Sequence, residues 1–229
     1  MKPWTTLAKE PAPDGRELIL QERDGVFAIR VGGCELMSSA RHGSEEAMAQ
    51  AGLEGRPPGT TPAVLIGGLG LGYTLRAALD RLPAHAHVVV AEVSKPIVTW
   101  NRGPLARLAG APLDDPRVQV ETTDIGKLLP SQRGRFDAIL LDVDNGPSAL
   151  FQAENQRLYG PAGIAAFRDA LVPGGALVVW SAGPEPRFLS SLREAGFDAT
   201  ERRVSARARG SAQHVLFVGR LPLTRSRRR

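Results

Sequence analysis

The chain has 229 residues, 42% hydrophobic and 23% charged, with a single cysteine, Cys34. That is enough for one sizeable α/β core with a small appendage, and it excludes an internal disulfide and a cysteine-based metal site. The net charge is +5, but Arg225, Arg227, Arg228 and Arg229 supply most of it: without them 25 basic residues face 24 acidic ones.

Those four arginines belong to the tail LTRSRRR (residues 223–229), which has no interleaved aromatics. It reads as a solvated terminus, so nucleic acid is not an expected partner. The opening MKPWTTLAKEPAPDG has no apolar signal region, and no run is long enough to span a membrane. With the lone cysteine, these features predict a cytoplasmic protein.

Residues 1–15 are rich in proline and polar groups and are expected to be loosely ordered. Three short alternating runs follow at 17–21, 26–31 and 34–37, divided by Asp24-Gly25 and Gly32-Gly33. They predict a three-stranded antiparallel unit. Residues 41–53 read as a helix, and GRPPGTTP (55–62) breaks it. The expected division is an N-terminal unit over 1–60, a main domain over 61–221 and the tail over 222–229.

Strand-like runs at 63–66, 87–91, 118–121, 138–142 and 176–180 alternate with helical patterns at 72–81, 95–108, 160–171 and 185–195. Such alternation predicts a doubly wound, mostly parallel sheet covered on both faces. Runs at 198–204 and 214–220 have no helix between them and predict a terminal antiparallel hairpin.

The chemistry concentrates at the carboxyl ends of those strands. VLIGGLGLGYTLRAALD (64–80) leads an apolar strand through Gly67, Gly68, Gly70 and Gly72 into a helix. A glycine loop there lets backbone N–H groups face a ligand without side chains in the way. The spacing is G-x-G-x-G; Tyr73 stands where the dinucleotide fingerprint has its last glycine. Glu92 ends the next strand, 20 residues after Gly72, where a carboxylate can accept both hydroxyls of a ribose. Asp124, just past the third strand, can either reach a nucleobase edge or cap the short helix that follows.

Asp142 ends RFDAILLD, and Asp144 and Asn145 lie in the turn after it. Both aspartates would overhang the crevice of the glycine loop. There a carboxylate can take a proton from an amine, and the alternative for Asp142 is an Asx turn closing the strand. His42, Glu45 and Glu46 lie at the junction with the N-terminal unit and either line the crevice or form a solvated helix face. His85, His87 and His214 show no metal-ligand spacing and read as structural or exposed, so no metal is expected.

Together IGGLGLGYTLRAAL, AEVSKPIV, DDPRVQVETTD, FDAILLDVD and ALVPGGALVVW resemble the spermidine synthase (aminopropyltransferase) family. That family lies within the Rossmann-like class I S-adenosylmethionine-dependent methyltransferase superfamily. The resemblance implies that Gly67, Gly68, Gly70 and Gly72 surround the tail of an S-adenosyl compound. It implies Glu92 on the ribose, Asp124 near the adenine, and Asp142 with Asp144 at the reacting end. The substrates implied are S-adenosylmethionine or its decarboxylated form and a small amine, within polyamine biosynthesis; a homodimer remains open.

Three departures set the alternatives. The family's loop reads G-G-G-D-G-G, and this one, GGLGLG, has no acid. The family's D-S-S-D becomes DVDN here, with Asn145 at the second acid's place. The family's polyamine-binding segment carries Gln, Asp-Glu and Tyr; ELMSSARHGSEEAMA has Met37, Glu45-Glu46 and no Tyr. Aminopropyl transfer to an amine, methyl transfer to a small molecule, and nucleoside binding without turnover are the readings left standing.

Overall fold

The computed structural model describes residues 2–40, 42–55, 61–143, 156–205 and 213–223. A four-stranded antiparallel sheet comes first: β1 (Thr5–Pro11), β2 (Glu17–Arg23), β3 (Val26–Val31) and β4 (Cys34–Ser38), in sequential order. The expected unit of three strands therefore gains a fourth. Thr5–Pro11, read as loose from its composition, pairs antiparallel with β2 from Thr5↔Glu22 to Pro11↔Glu17. Pro11 and Pro3 mark its ends, where a missing N–H costs a ladder least. Nearly all of β1 is exposed, so no apolar alternation announces it.

The main sheet has seven strands in the order β10-β11-β9-β8-β5-β6-β7. They are β5 (Ala63–Gly67), β6 (His87–Ala91), β7 (Val118–Glu121), β8 (Phe136–Leu141), β9 (Leu171–Ser181), β10 (Asp198–Ser205) and β11 (Gln213–Arg220). The first five pair in parallel, while β11 runs antiparallel to both β9 and β10. The predicted doubly wound sheet with a terminal hairpin is what forms.

Side-chain alternation builds two cores. Val64, Ile66, Val88, Val90, Ala138 and Leu140 enter one cluster, with α1 (Gly43–Leu53), α2 (Tyr73–Leu79) and α3 (Lys95–Arg102) packed over it. Leu65, Val89, Ala91, Ile139 and Leu141 enter the other, under α4 (Ile125–Leu128), α5 (Gln156–Tyr159), α6 (Pro161–Ala170) and α7 (Pro186–Glu194). Strands covered on both faces read as continuous apolar runs, as these do.

Two boundaries move. The helix expected over 95–108 stops at Arg102, because Gly103 precedes Pro104 and a residue before proline avoids the helical region. The helix α1, assigned by sequence to the N-terminal unit, lies on the main sheet: a Cβ on Gly52 would fall 2.4 Å from Leu140 Cδ2. Among the described residues no helix is long and apolar enough to cross a membrane.

Candidate functional site

Strand order reverses at β5, which hands on to β6 on one side and, later in the chain, has β8 on the other. In open α/β sheets ligands bind at such a switch point, beyond the carboxyl ends of the strands. A cavity of about 390 Å³ lies there, lined by the glycine loop and the ends of β6 and β8, and roofed by β4 and the turn between β1 and β2.

The loop is pressed against the end of β8. Gly68 has φ +89°, and a Cβ there would stand 2.2 Å from the Asp142 carbonyl oxygen. No other residue fits both the left-handed backbone and the approach. Asp142 N–H donates to the Gly67 carbonyl at 2.8 Å, and Gly68 N–H donates to Ala91 at 2.9 Å. Leu69 and Leu71 send their side chains into the core, so the loop offers mainly backbone to the cavity. Gly72, φ +84°, then caps α2.

Glu92 sits where the sequence places it, buried at the end of β6. Its two oxygens accept from Leu69 N–H at 2.8 Å and Ser94 N–H at 2.7 Å. An ionised carboxylate has about four acceptor sites, so these bonds fix Glu92 and the loop while leaving capacity toward the cavity. Asp124 takes the capping role of the two that the sequence sets against each other. Its Oδ1 accepts from Lys127 N–H at 3.1 Å and caps α4, and the residue also lines the cavity.

Behind the loop is a group that the motif does not announce. Asn101 on α3 is buried, and its Nδ2 donates to the Gly70 and Ile97 carbonyls, each at 2.9 Å. It fixes the turn of the Gly70–Leu71 peptide.

The other end of the cavity is built of side chains. Asp142 Oδ2 accepts from the Thr74 hydroxyl at 3.2 Å. Burial and the nearby Glu45 charge push its carboxyl up to about 7, and the Thr74 bond works in the opposite direction. Glu45 is raised as well, by burial above all and by Glu46, against a 2.7 Å hydrogen bond from Ser44. Burial and the Glu45 charge likewise raise the Tyr73 phenol.

The low-order expectations at the junction separate. Glu45 lines the cavity, whereas Glu46 faces solvent. His42 stands outside the lining but stacks on Tyr73, ring centroids 4.3 Å apart and 15° from parallel. His214, read as structural or exposed, is half-buried on the cavity wall beside Trp180, whose Nε1–H donates to His214 Nδ1 at 3.3 Å. The hairpin carries it there, because Val215 pairs with Ser181 in β9 and sets His214 beside Trp180. Asp144 and Asn145 lie outside the described residues. Among those described, no group of three or more His, Cys, Asp or Glu is arranged to hold a metal ion.

Sequence reasoning missed Ser44, Tyr73, Thr74, Asn101, Trp180 and His214 as members of this site. Tyr73 and Thr74 directly follow the loop, and that adjacency was the available signal. Residues 35–49 hold no tyrosine, and Tyr73, at the start of α2, lines the cavity.

No protein-family model matches the chain. A curated relative, polyamine aminopropyltransferase 1 of Streptomyces coelicolor, is 30% identical over 161 residues. The match takes in 67% of this chain but spans only 29% of that longer protein. A crystal structure of spermidine synthase from Thermotoga maritima superposes with TM-score 0.76 at 16% identity, over 96% of this chain and 73% of the other. A spermidine synthase crystallised with the transition-state analogue AdoDATO gives TM-score 0.76 at 18% identity, over 96% and 74%. In fold the chain is like the spermidine synthases, and in sequence it is similar to part of the Streptomyces polyamine aminopropyltransferase.

Proposed function

We propose that the chain is a transferase that binds decarboxylated S-adenosylmethionine and passes its aminopropyl group to a small amine. The glycine loop of 67–72 and Glu92 would hold the tail and ribose, and Asp124 would adjoin the adenine. The acceptor nitrogen would use its lone pair to attack the methylene carbon beside the sulfonium. The carbon–sulfur bond breaks, sulfur keeps the pair, and methylthioadenosine leaves neutral. The proton released from nitrogen passes to a carboxylate.

The observation that carries this reading is Asp142: a carboxyl raised to about 7, at the switch point, beside the loop. A base works best when its pKa lies near the working pH, and an amine attacks only when neutral. Fixing both partners in one cavity supplies the alignment such a displacement needs. The AdoDATO complex of a neighbour in fold agrees with such a reaction.

The loop itself supports a second reading. It carries no acid to meet an aminopropyl ammonium, and a Cβ on Gly70 would meet only Met37, at 3.3 Å. That tail site would take an amino acid's carboxylate more easily, as methyl transfer from S-adenosylmethionine requires. Calorimetric titration with S-adenosylmethionine, its decarboxylated form and methylthioadenosine separates the two. Preference for the decarboxylated form is expected; preference for the full amino acid would establish the second reading, and no binding of any of them would remove both.

A further inference from the structure

Among the described residues six acidic ones line the cavity, and three are tied into the fold. Asp14 is held by Arg16 at 2.6 Å, Glu92 by the loop, and Asp124 by its cap. Glu35 stands exposed at the rim. Asp142 and Glu45 remain as a pair, near enough that the Glu45 charge raises Asp142. Meanwhile Asn145 occupies the position, three residues after Asp142, of the second acid in the family motif that the chain resembles.

Glu45 is backed by a connected chain of groups. Its Oε2 accepts from Ser44 Oγ at 2.7 Å, Ser44 Oγ lies 3.2 Å from His214 Nδ1, and Trp180 Nε1–H donates to the same Nδ1. An indole N–H can only donate, so Nδ1 presents its lone pair and neutral His214 carries its proton on Nε2. That tautomer lets Ser44 serve Glu45 in either charge state. With Glu45 ionised, the Ser44 hydroxyl donates to it. With Glu45 protonated, the carboxyl donates to Ser44 Oγ, and the hydroxyl shares the single Nδ1 lone pair with Trp180 Nε1–H.

We propose that Glu45 is the second carboxyl of the acceptor site, positioned by Ser44, His214 and Trp180, and that with Asp142 it takes the ammonium of the incoming amine. This rests on the amine-transfer reading above and moves the second acid from the end of β8 to the start of α1. The titratable groups facing Glu45 are Glu46 on its own helix, Tyr73 on α2, Asp142 after β8 and His214 on β11, with Glu35 on β4 lining the same cavity. Both carboxyls are raised, and Asp142, at about 7, holds a proton part of the time near neutral pH in the empty cavity. An arriving ammonium favours the ionised forms, and its binding therefore releases protons.

The test is calorimetry of putrescine with saturating methylthioadenosine at about pH 7, in two buffers of different ionisation enthalpy. The intact protein is expected to release protons on binding putrescine. Glu45→Gln is expected to weaken putrescine about ten-fold or more while leaving methylthioadenosine within about two-fold. It should also release fewer protons, because the pair loses one titrating carboxyl and Asp142 loses part of what raises it. Ser44→Ala and Trp180→Phe should lie between, and Glu45→Asp should restore proton release if Glu45→Gln proves unfolded by its melting temperature. Unchanged putrescine affinity and proton release in Glu45→Gln would overturn the assignment of Glu45 alone. Intact methylthioadenosine binding with no putrescine binding would overturn the amine pair, and failure to bind methylthioadenosine would overturn the adenosyl reading on which both stand.

Discussion

The two ends of the cavity are made of different materials. At the nucleoside end, one short segment contributes almost everything: a strand, a glycine loop and the carboxylate of the next strand, tied together by backbone hydrogen bonds. At the other end, α1, α2, β8, β9 and β11 each contribute side chains, and the contact between Ser44 Oγ and His214 Nδ1 joins residues 170 apart in the chain. Backbone recognition needs a local shape, which a contiguous motif can encode. Recognition by charge needs groups brought close through the fold, at the cost of burying them.

The contrast predicts that chemistry and binding can be separated. Asp142→Asn should keep affinity for methylthioadenosine and lower turnover by about 10²–10⁴-fold, the usual contribution of a positioned base. Methylthioadenosine release, followed under saturating substrates, measures it. Equal turnover would remove Asp142 from the role of base and leave the charged end without a chemical task.

The seam between the two ends is Gly68, and there the distinction should fail. A Cβ would strike the carbonyl of Asp142 itself, in a backbone conformation that side chains rarely adopt. Gly68→Ala should cost about 2–4 kcal/mol of stability, adding strain to overlap, and should impair both ends together. Chemical denaturation reads the loss. A variant of normal stability that still binds methylthioadenosine would show that the loop is looser than its contacts imply.

Legibility in the sequence follows the same divide. The strands of the main sheet announced themselves because burial on both faces leaves continuous apolar runs, as in VLIG and HVVVA. Glu92 was legible because its position is fixed by the register of adjacent parallel strands. The strand β1 was not, since it buries almost nothing and leaves no apolar pattern. His214 and Trp180 were opaque for another reason: nothing local distinguishes a histidine on a cavity wall from one in solvent. Only the antiparallel return of β11 alongside β9 decides it. Glu45 and Glu46 show the limit most simply, since adjacent identical residues on one helix face opposite environments.

At the nucleoside end, Glu92→Ala tests whether the buried carboxylate serves the ligand as well as the loop. Loss of a charge-assisted pair of hydrogen bonds to the ribose should weaken methylthioadenosine by about 1.5–3 kcal/mol. Unchanged affinity would leave Glu92 as a brace for Leu69 and Ser94 only.

The smallest effect expected is also the one that belongs to a single end. Because the folded protein holds Asp142 at about 7, against an ordinary value of 3.8, the folded state binds more protons than the unfolded chain between those limits. Stability contributed by this group is present below the lower limit and is lost as pH rises through the upper one. Asp142→Asn removes the titrating group while keeping its shape. The variant should gain on the parent from about pH 4 upward, by on the order of 1–2 kcal/mol near pH 8 once solvent in the cavity is allowed for. Urea denaturation of both proteins at the two ends of that range gives the difference. A constant gap across pH would mean that Asp142 titrates normally, and the charged end of the cavity would then store none of the electrostatic cost that its burial implies.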